Sequence, residues 1–406
     1  MIYLVTTQQQ LFENELYKII GVEESLRLLE PLKIVGLDSE TTGLDPYTKE
    51  LKLVQLGCYD FQVVIDCSTI NILDYKDYLE SNRLFIGWNL KFDLKWLFKY
   101  KIVPRRVYDG FLAEKLMWLG YPPGLHSMSL KSAGQNYLGV ELDKTVRGQI
   151  IWKKELTDKI IEYAANDVKY LEKIREAQEV KLNEKDLLTA IDYENRFVLP
   201  LSYCEFCGIK LDVDKWKDKI NKDRELLNKS LSELNAWVTT HYPNDKRYTR
   251  INLQGDLFSG FNTESNCTIN WNSTQQVAPL FEDLGIKVKV FNKNTKKSKY
   301  SLDAKLLAPQ KSKFPILIPY LKYKEASKLC STYGKNWLDQ IDSQTGRIYT
   351  KFNQLGTNTA RISSGGKDKS AHKEYVNFLN LPSDSLTRSC FIAEKGNSWI
   401  SIDYSG

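Results

Sequence analysis

Two carboxylates, Asp38 and Glu40, stand two residues apart at the end of an apolar run, in "KIVGLDSETTGLDP" (33–46). If "IVGL" opens a buried strand, period-two alternation turns both acids to one face. Like charges that close repel by roughly a few kcal/mol at an effective dielectric of about 20. A proton, a basic side chain or a metal ion must therefore sit between them. Two further places carry acids in chemically suggestive settings. "FIGWNLKFDLKWL" (85–97) puts Asp93 just inside a helix whose expected N-cap is Asn89. The helix dipole favours a carboxylate there, which is explanation enough for a lone aspartate. "IIEYAANDVKYLEKI" (160–174) sets Tyr163 and Asp167 at i and i+4, on one helical face.

Composition narrows what could lie between the acids. The chain has only three histidines, at 126, 241 and 372, which argues against His-ligated zinc and His-driven nucleophilic catalysis. Its seven cysteines are scattered, and the one C-x-x-C, Cys204 and Cys207, has no second pair. Reduced, buried thiols are expected. Any metal would be held by oxygen, which suits magnesium or manganese. The formal charge of +6 permits a nucleic-acid partner without demonstrating one. With 42% hydrophobic and 27% charged residues, the 406-residue chain should fold as two or three domains. No apolar run reaches about 18 residues and no signal-peptide pattern opens the chain. A cytoplasmic protein with no membrane partner is expected.

These acids need a scaffold, and the first ~185 residues alternate strand and helix patterns. "IYLVTT" opens as a strand and "ESLRLLEPL" as a helix. "KIVGLDSE", "LKLVQLGCY" and "FQVVIDC" then form a meander, with a tight turn near Asp60. A long amphipathic helix is expected from about Asp158 to Glu179. Beyond Leu187 the pattern changes to long helices at 214–242 and roughly 316–341, an arm with an irregular tip. The last ~65 residues return to short strand-like pieces.

A strand with D-x-E, a helix start with N-x-x-x-D and a late helix with Y-x-x-x-D occur in that order. This resembles the DEDD superfamily of 3′→5′ exonucleases in its tyrosine subtype. The histidine subtype would carry His where Glu162 stands. The resemblance implies a mixed-sheet, ribonuclease H-like α/β domain in which Asp38, Glu40, Asp93 and Asp167 hold two divalent ions, Mg²⁺ or Mn²⁺. It makes Asp38 a ligand of both ions, Asp93 a partly water-mediated one, and Tyr163 the group that orients the attacking water. Thr41, Leu44, Asn89 and Phe92 would receive a single-stranded DNA 3′ end, Leu44 and Phe92 by packing on the terminal base.

The second block resembles family A DNA polymerases. "FVLPLSYCEFCGIKLDVDKW" (197–216) is similar to their step from exonuclease domain into a thumb helix. "GRIYTKFNQLGTNTARISS" (346–364), "NFLNLP" (377–382) and the closing "TRSCFIAEKGNSWISIDYSG" resemble successive palm segments, the last being the first catalytic palm motif. That resemblance implies an exonuclease domain over 1–187, a mostly helical thumb over 188–341 and an incomplete α+β palm over 342–406. Asp403 would be a palm metal ligand, and Arg361 would contact primer–template. Lys296 and Lys297, near the thumb tip, would meet phosphates. Ala360 departs from the family, which usually has Gly there.

The chain ends three residues after Asp403, so nucleotidyl transfer by this polypeptide alone is not expected. Three readings of that ending stand: part of a longer gene product, half of a split polymerase completed by a C-terminal fragment, or an exonuclease with a DNA-gripping arm. No 5′-nuclease domain is expected ahead of the exonuclease pattern, a plan seen in some phage polymerases. The expected activity is proofreading in DNA replication or repair, in a bacterial or phage-infected cell. Two competing readings are a non-catalytic DNA-binding fold and an RNA-trimming exonuclease of the same superfamily. The second leaves the polymerase-like block unexplained.

Overall fold

The computed structural model describes residues 1–9, 11–122, 124–142, 156–254, 262–292, 297–368, 373–400 and 402, with backbone alone at 251–254, 262–265 and 292. The chain divides into two compact units. One comprises Met1–Gly208 and Tyr349–Asn380; the other comprises Ile209–Ile348 and the described residues from Leu381 onward. Packing thus groups the chain differently from the linear segments 1–187, 188–341 and 342–406. Among the described residues no helix is long and apolar enough to cross a membrane.

The first unit is built on a seven-stranded mixed sheet in the order β2-β1-β5-β4-β3-β6-β7. Its strands are β1 Ile2–Val5, β2 Tyr17–Ile19, β3 Ile34–Thr41, β4 Leu51–Gly57, β5 Gln62–Asp66, β6 Leu84–Gly87 and β7 Arg106–Asp109. The expected meander is present: β3, β4 and β5 pair antiparallel, while β6 and β7 add in parallel. β4 is buried along most of its length because both sheet faces are covered, and β3 is apolar over Ile34–Leu37 before it turns polar at Asp38. Leu37, Val54 and Leu56 enter one buried cluster, and Leu53 and Val64 enter another. The second cluster is completed by Ile160, Ile161, Ala164 and Ala165 of the Asp158–Lys169 helix.

That helix lies close to β3 because Gly36 has no side chain. A Cβ at Gly36 would sit 2.8 Å from the Val168 carbonyl oxygen and 2.9 Å from the Val168 Cβ. Real Cβ atoms do not approach backbone that closely, so the glycine sets the helix–strand spacing.

Three expectations are corrected here. The single helix over 158–179 is two helices, Asp158–Lys169 and Leu171–Glu184, separated at Tyr170. Asn89 is not the N-cap of the Lys91–Lys99 helix. It adopts the left-handed conformation at φ 62°, and Leu90 occupies the cap position. The buried Asp109 carboxylate takes over the capping work, accepting the backbone N–H groups of Asn89 at 2.8 Å and Leu90 at 2.9 Å. It also caps its own helix, Gly110–Met117, through the Phe111 N–H. Third, the tip of the arm is not irregular: Thr249–Gln254 pairs with Asn262–Cys267, and Lys289–Asn292 with Lys297–Tyr300.

The segment Tyr349–Asn380 joins the first unit through Glu205, whose side chain is 2% exposed and ion-pairs with Lys91 and Lys95. Glu205 also accepts the Phe352 N–H at 2.7 Å. Burial pushes its acidity down, but the Lys95 and Lys91 charges outweigh burial and hold the carboxyl below its usual range.

In the second unit the Val213–His241 helix, as expected for 214–242, packs along Leu317–Thr332. Leu234, Val238, Trp271, Phe281 and Tyr320 fill the space around them. A separate aromatic triangle joins Trp216, Trp337 and Phe391, with ring centroids 5.3–5.9 Å apart. It lies beside a three-stranded sheet of Ile209–Leu211, Arg347–Ile348 and Phe391–Ile392.

Two predictions follow from backbone geometry. Gly36→Ala should cost about 1–3 kcal/mol of stability by overpacking, read as a lower urea midpoint. Ala360 sits at φ 61° in a turn closed by the Thr357 N–H to the Arg361 carbonyl at 3.2 Å. Ala360→Gly should therefore raise stability by about 0.5–1 kcal/mol, the relieved left-handed cost exceeding the entropy glycine adds to the unfolded chain. An unchanged or lower denaturation midpoint would contradict this.

Candidate functional site

The register of β3 on β4 builds the site. Asp38 stands opposite Gln55 and Glu40 opposite Leu53, with an irregularity in the pairing at Glu40/Thr41. Strand alternation turns Gly36, Asp38 and Glu40 to one face, the face that the Asp158–Lys169 helix covers. Because Val168 is seated on Gly36, Asp167 is delivered to the neighbouring Asp38. One carboxylate oxygen from each of Asp38, Glu40 and Asp167 falls within a set whose members all lie within 4.8 Å of one another. Asp38 and Glu40 are half-buried, and Asp167 is buried.

Tyr163, one helical turn before Asp167, is buried and hydrogen-bonds to it. Burial, then the charges of Asp167 and Glu40, drive the Tyr163 pKa far above the ordinary tyrosine value. Its hydroxyl stays protonated and can donate. The Tyr163/Asp167 spacing read in the sequence is therefore a real pair facing the two strand carboxylates.

Asp93 is not brought into this trio. It is 3% exposed and accepts the Ser39 hydroxyl at 2.5 Å. Ser39 lies between Asp38 and Glu40 in the strand, so alternation points it to the opposite face. Burial pushes the Asp93 pKa up to about 7, with the nearby Asp109 charge adding to the effect. Burial likewise raises Asp109 to about 6, against the three or more backbone N–H groups that favour its ionised form.

The remaining sequence candidates are spread more widely. Thr41 is buried and donates its hydroxyl to the Gly43 carbonyl at 2.6 Å. Leu44 is 49% exposed, so a plain core role is excluded for it. Phe92 is half-buried, edge-on to Trp96 with centroids 6.3 Å apart. Asn89 contributes its backbone N–H to Asp109, as described above. Arg361 is exposed in the Thr357–Arg361 turn of the first unit. Lys297 is exposed on a hairpin strand of the second unit. Lys296 and Asp403 lie outside the described residues.

Sequence reasoning missed Asp109 and Gly36. An Asp directly before Gly in "VYDGFLAEKL" was a capping signal that could have been read. The importance of Gly36 had no local signal, since it depends on a helix more than 120 residues away.

The donor set of the trio consists only of carboxylate oxygens, which fits a hard divalent cation rather than a soft one. Comparison with known proteins agrees with that chemistry. Residues 15–183 match the family described as 3′-5′ exonuclease, and residues 256–406 match DNA polymerase family A. DNA polymerase I of Aquifex aeolicus is 26% identical over 403 residues, covering 95% of this chain and 60% of that protein. The DNA polymerase of Escherichia phage T5 is 26% identical over 412 residues, covering 94% of this chain and 45% of that protein. The chain thus spans 60% or less of these relatives' length. The fold is similar to the POL domain of Pol1 from M. smegmatis in complex with DNA primer-template and dNTP. That structure has a TM-score of 0.63 and 18% identity, over 97% of this chain and 59% of that one. Carboxylate trio, paired tyrosine and the two family matches agree in their order along the chain: the trio and Tyr163 lie within the stretch that matches the 3′-5′ exonuclease family, and the stretch that matches DNA polymerase family A follows it.

Proposed function

We propose that residues 1–187 form a proofreading 3′→5′ exonuclease acting on single-stranded DNA 3′ ends. The observation that carries this reading is the Asp38–Glu40–Asp167 trio with Tyr163 hydrogen-bonded to Asp167. In the reaction a water oxygen attacks the terminal phosphorus and the bond from phosphorus to the 3′ oxygen breaks. The products are a 5′-deoxynucleoside monophosphate and a strand ending in a new 3′ hydroxyl. Asp38, Glu40 and Asp167 are the residues that would hold divalent ions, two Mg²⁺ or Mn²⁺, with Asp93 acting indirectly. Such ions supply charge neutralisation at the phosphate and an acidified water. Tyr163, kept protonated by its surroundings, orients that water by hydrogen bonding. Thr41, Leu44, Asn89 and Phe92 receive the 3′-terminal nucleotide. An unpaired end reaches the acids more readily than a paired one, which favours mismatches without base readout.

Residues 188–341 are read as thumb and 342–406 as palm, with Arg361, Lys296 and Lys297 on primer–template and Asp403 as a palm metal ligand. The match of residues 256–406 to DNA polymerase family A, and the bacterial and phage DNA polymerases similar to the chain, support DNA as the partner, in the cytoplasm of a bacterial or phage-infected cell.

The test uses 5′-labelled single-stranded DNA, a matching ribo-oligonucleotide and a primer–template with Mg²⁺. Laddered shortening of the DNA from its 3′ end is expected. The Asp38→Ala, Glu40→Ala double variant should lose at least about 10³-fold in rate. Equal shortening by that variant, or a folded wild-type chain that degrades only the ribo-oligonucleotide, would contradict the reading.

A further inference from the structure

Buried polar side chains of the first unit are almost all satisfied. Gln62 donates to the Cys58 carbonyl at 2.7 Å, and Gln178 donates to the Gly110 carbonyl at 3.0 Å and to Glu114 at 2.8 Å. Asp66 accepts from Thr6, Gln8 and Ser68. Among the described residues of this unit Trp96 Nε1, Arg175 Nε and Gln354 Oε1 lack a partner at one atom each, and Gln55 lacks one at both atoms of its amide. It is fully buried in the middle of β4, yet neither its amide nitrogen nor its amide oxygen has a hydrogen-bond partner among the described residues. Leaving such a group unpaired costs about 1–3 kcal/mol, and an apolar residue of the same size would avoid that cost.

Its position says what the amide is for. Gln55 stands directly opposite Asp38 in the antiparallel register. Directly opposed residues point to the same face, with Cβ atoms about 5 Å apart. The amide therefore lies on the face of the acidic trio, the face covered by the helix that brings Tyr163 and Asp167, at the position across from Asp38. A carboxylate that turns one oxygen to a cation needs its other oxygen held, and metal-binding carboxylates are commonly held by hydrogen bonds.

We infer that Gln55 is a positioning residue for the metal-binding trio: its side-chain N–H, unpaired in the cation-free chain, donates to the Asp38 carboxylate when a divalent cation binds and fixes the orientation the cation requires. This rests on the metal-dependent exonuclease reading above. It assigns Gln55 a part in cation binding rather than in packing, and it explains why a polar side chain interrupts the apolar run "LKLVQLG".

Titration calorimetry with Mn²⁺ alone on the full chain, paired with thermal unfolding in EDTA, tests this. The variants are Gln55→Met, Gln55→Leu, Leu53→Met and Asp38→Asn. Gln55→Met and Gln55→Leu remove the amide at nearly constant volume. Leu53→Met perturbs packing at the neighbouring same-face position without removing a polar group. The expected result is a Mn²⁺ affinity lowered about 10-fold or more in both Gln55 variants. Their unfolding temperature in EDTA should be unchanged or higher, while Leu53→Met binds like wild type. Unchanged affinity in the Gln55 variants, or an equal loss in Leu53→Met, overturns the inference and leaves the exonuclease reading standing. If wild type and Asp38→Asn take up no Mn²⁺ alike, the metal reading fails and the inference falls with it.

Discussion

Mutual repulsion among Asp38, Glu40 and Asp167 is the constraint on which the first unit depends. A pair of like charges within 4.8 Å costs about 3 kcal/mol or more at an effective dielectric of about 20. A flexible chain would relieve this by letting the acids drift apart. Here two of them are locked in one strand, and that strand is paired on both sides by β4 and β6. The third is locked by a helix whose apolar residues are buried in the sheet and whose spacing is set by Gly36. Hydrophobic burial of Ile160, Ile161, Ala164 and Val168 thus holds the acids together against their own charge. A preorganised cluster of carboxylate oxygens of this kind suits hard cations.

The Tyr349–Asn380 segment shows a second use of buried charge. Glu205 is surrounded by Lys91, Lys95 and the Phe352 N–H, so one carboxylate ties three separate pieces of chain into one unit. Removing one partner of such a buried pair commonly costs 3–5 kcal/mol or about that, because the other charge is left uncompensated. Lys91 opens the helix that contains Asp93. The polymerase-family segment and the exonuclease-family helix are therefore joined at the level of single hydrogen bonds.

Much of this was legible in the sequence because the decisive patterns are local. Period two puts Asp38 and Glu40 together, and the i, i+4 spacing puts Tyr163 with Asp167. The meander follows from alternating runs broken by turn residues. What was not legible depends on partners distant in the chain. Asn89 was the natural N-cap by residue type, but Asp109 reaches its backbone from another strand and leaves it in a left-handed conformation. The division at Tyr170 interrupts an amphipathic pattern that continues through it unbroken. Asp93 fits the spacing of its motif, yet only the fold shows it bonded to Ser39 and outside the trio. Gln55 reads as a strand residue like any other until the register places it across from Asp38.

Cation binding by the Asp38–Glu40–Asp167 trio is what the proposed chemistry requires first. Its most direct measurement is anomalous diffraction from crystals of the chain grown with Mn²⁺. The account predicts a strong anomalous peak bounded by carboxylate oxygens of Asp38, Glu40 and Asp167. A trio closed by a lysine or arginine side chain, with no anomalous density beside it at saturating Mn²⁺, would contradict it.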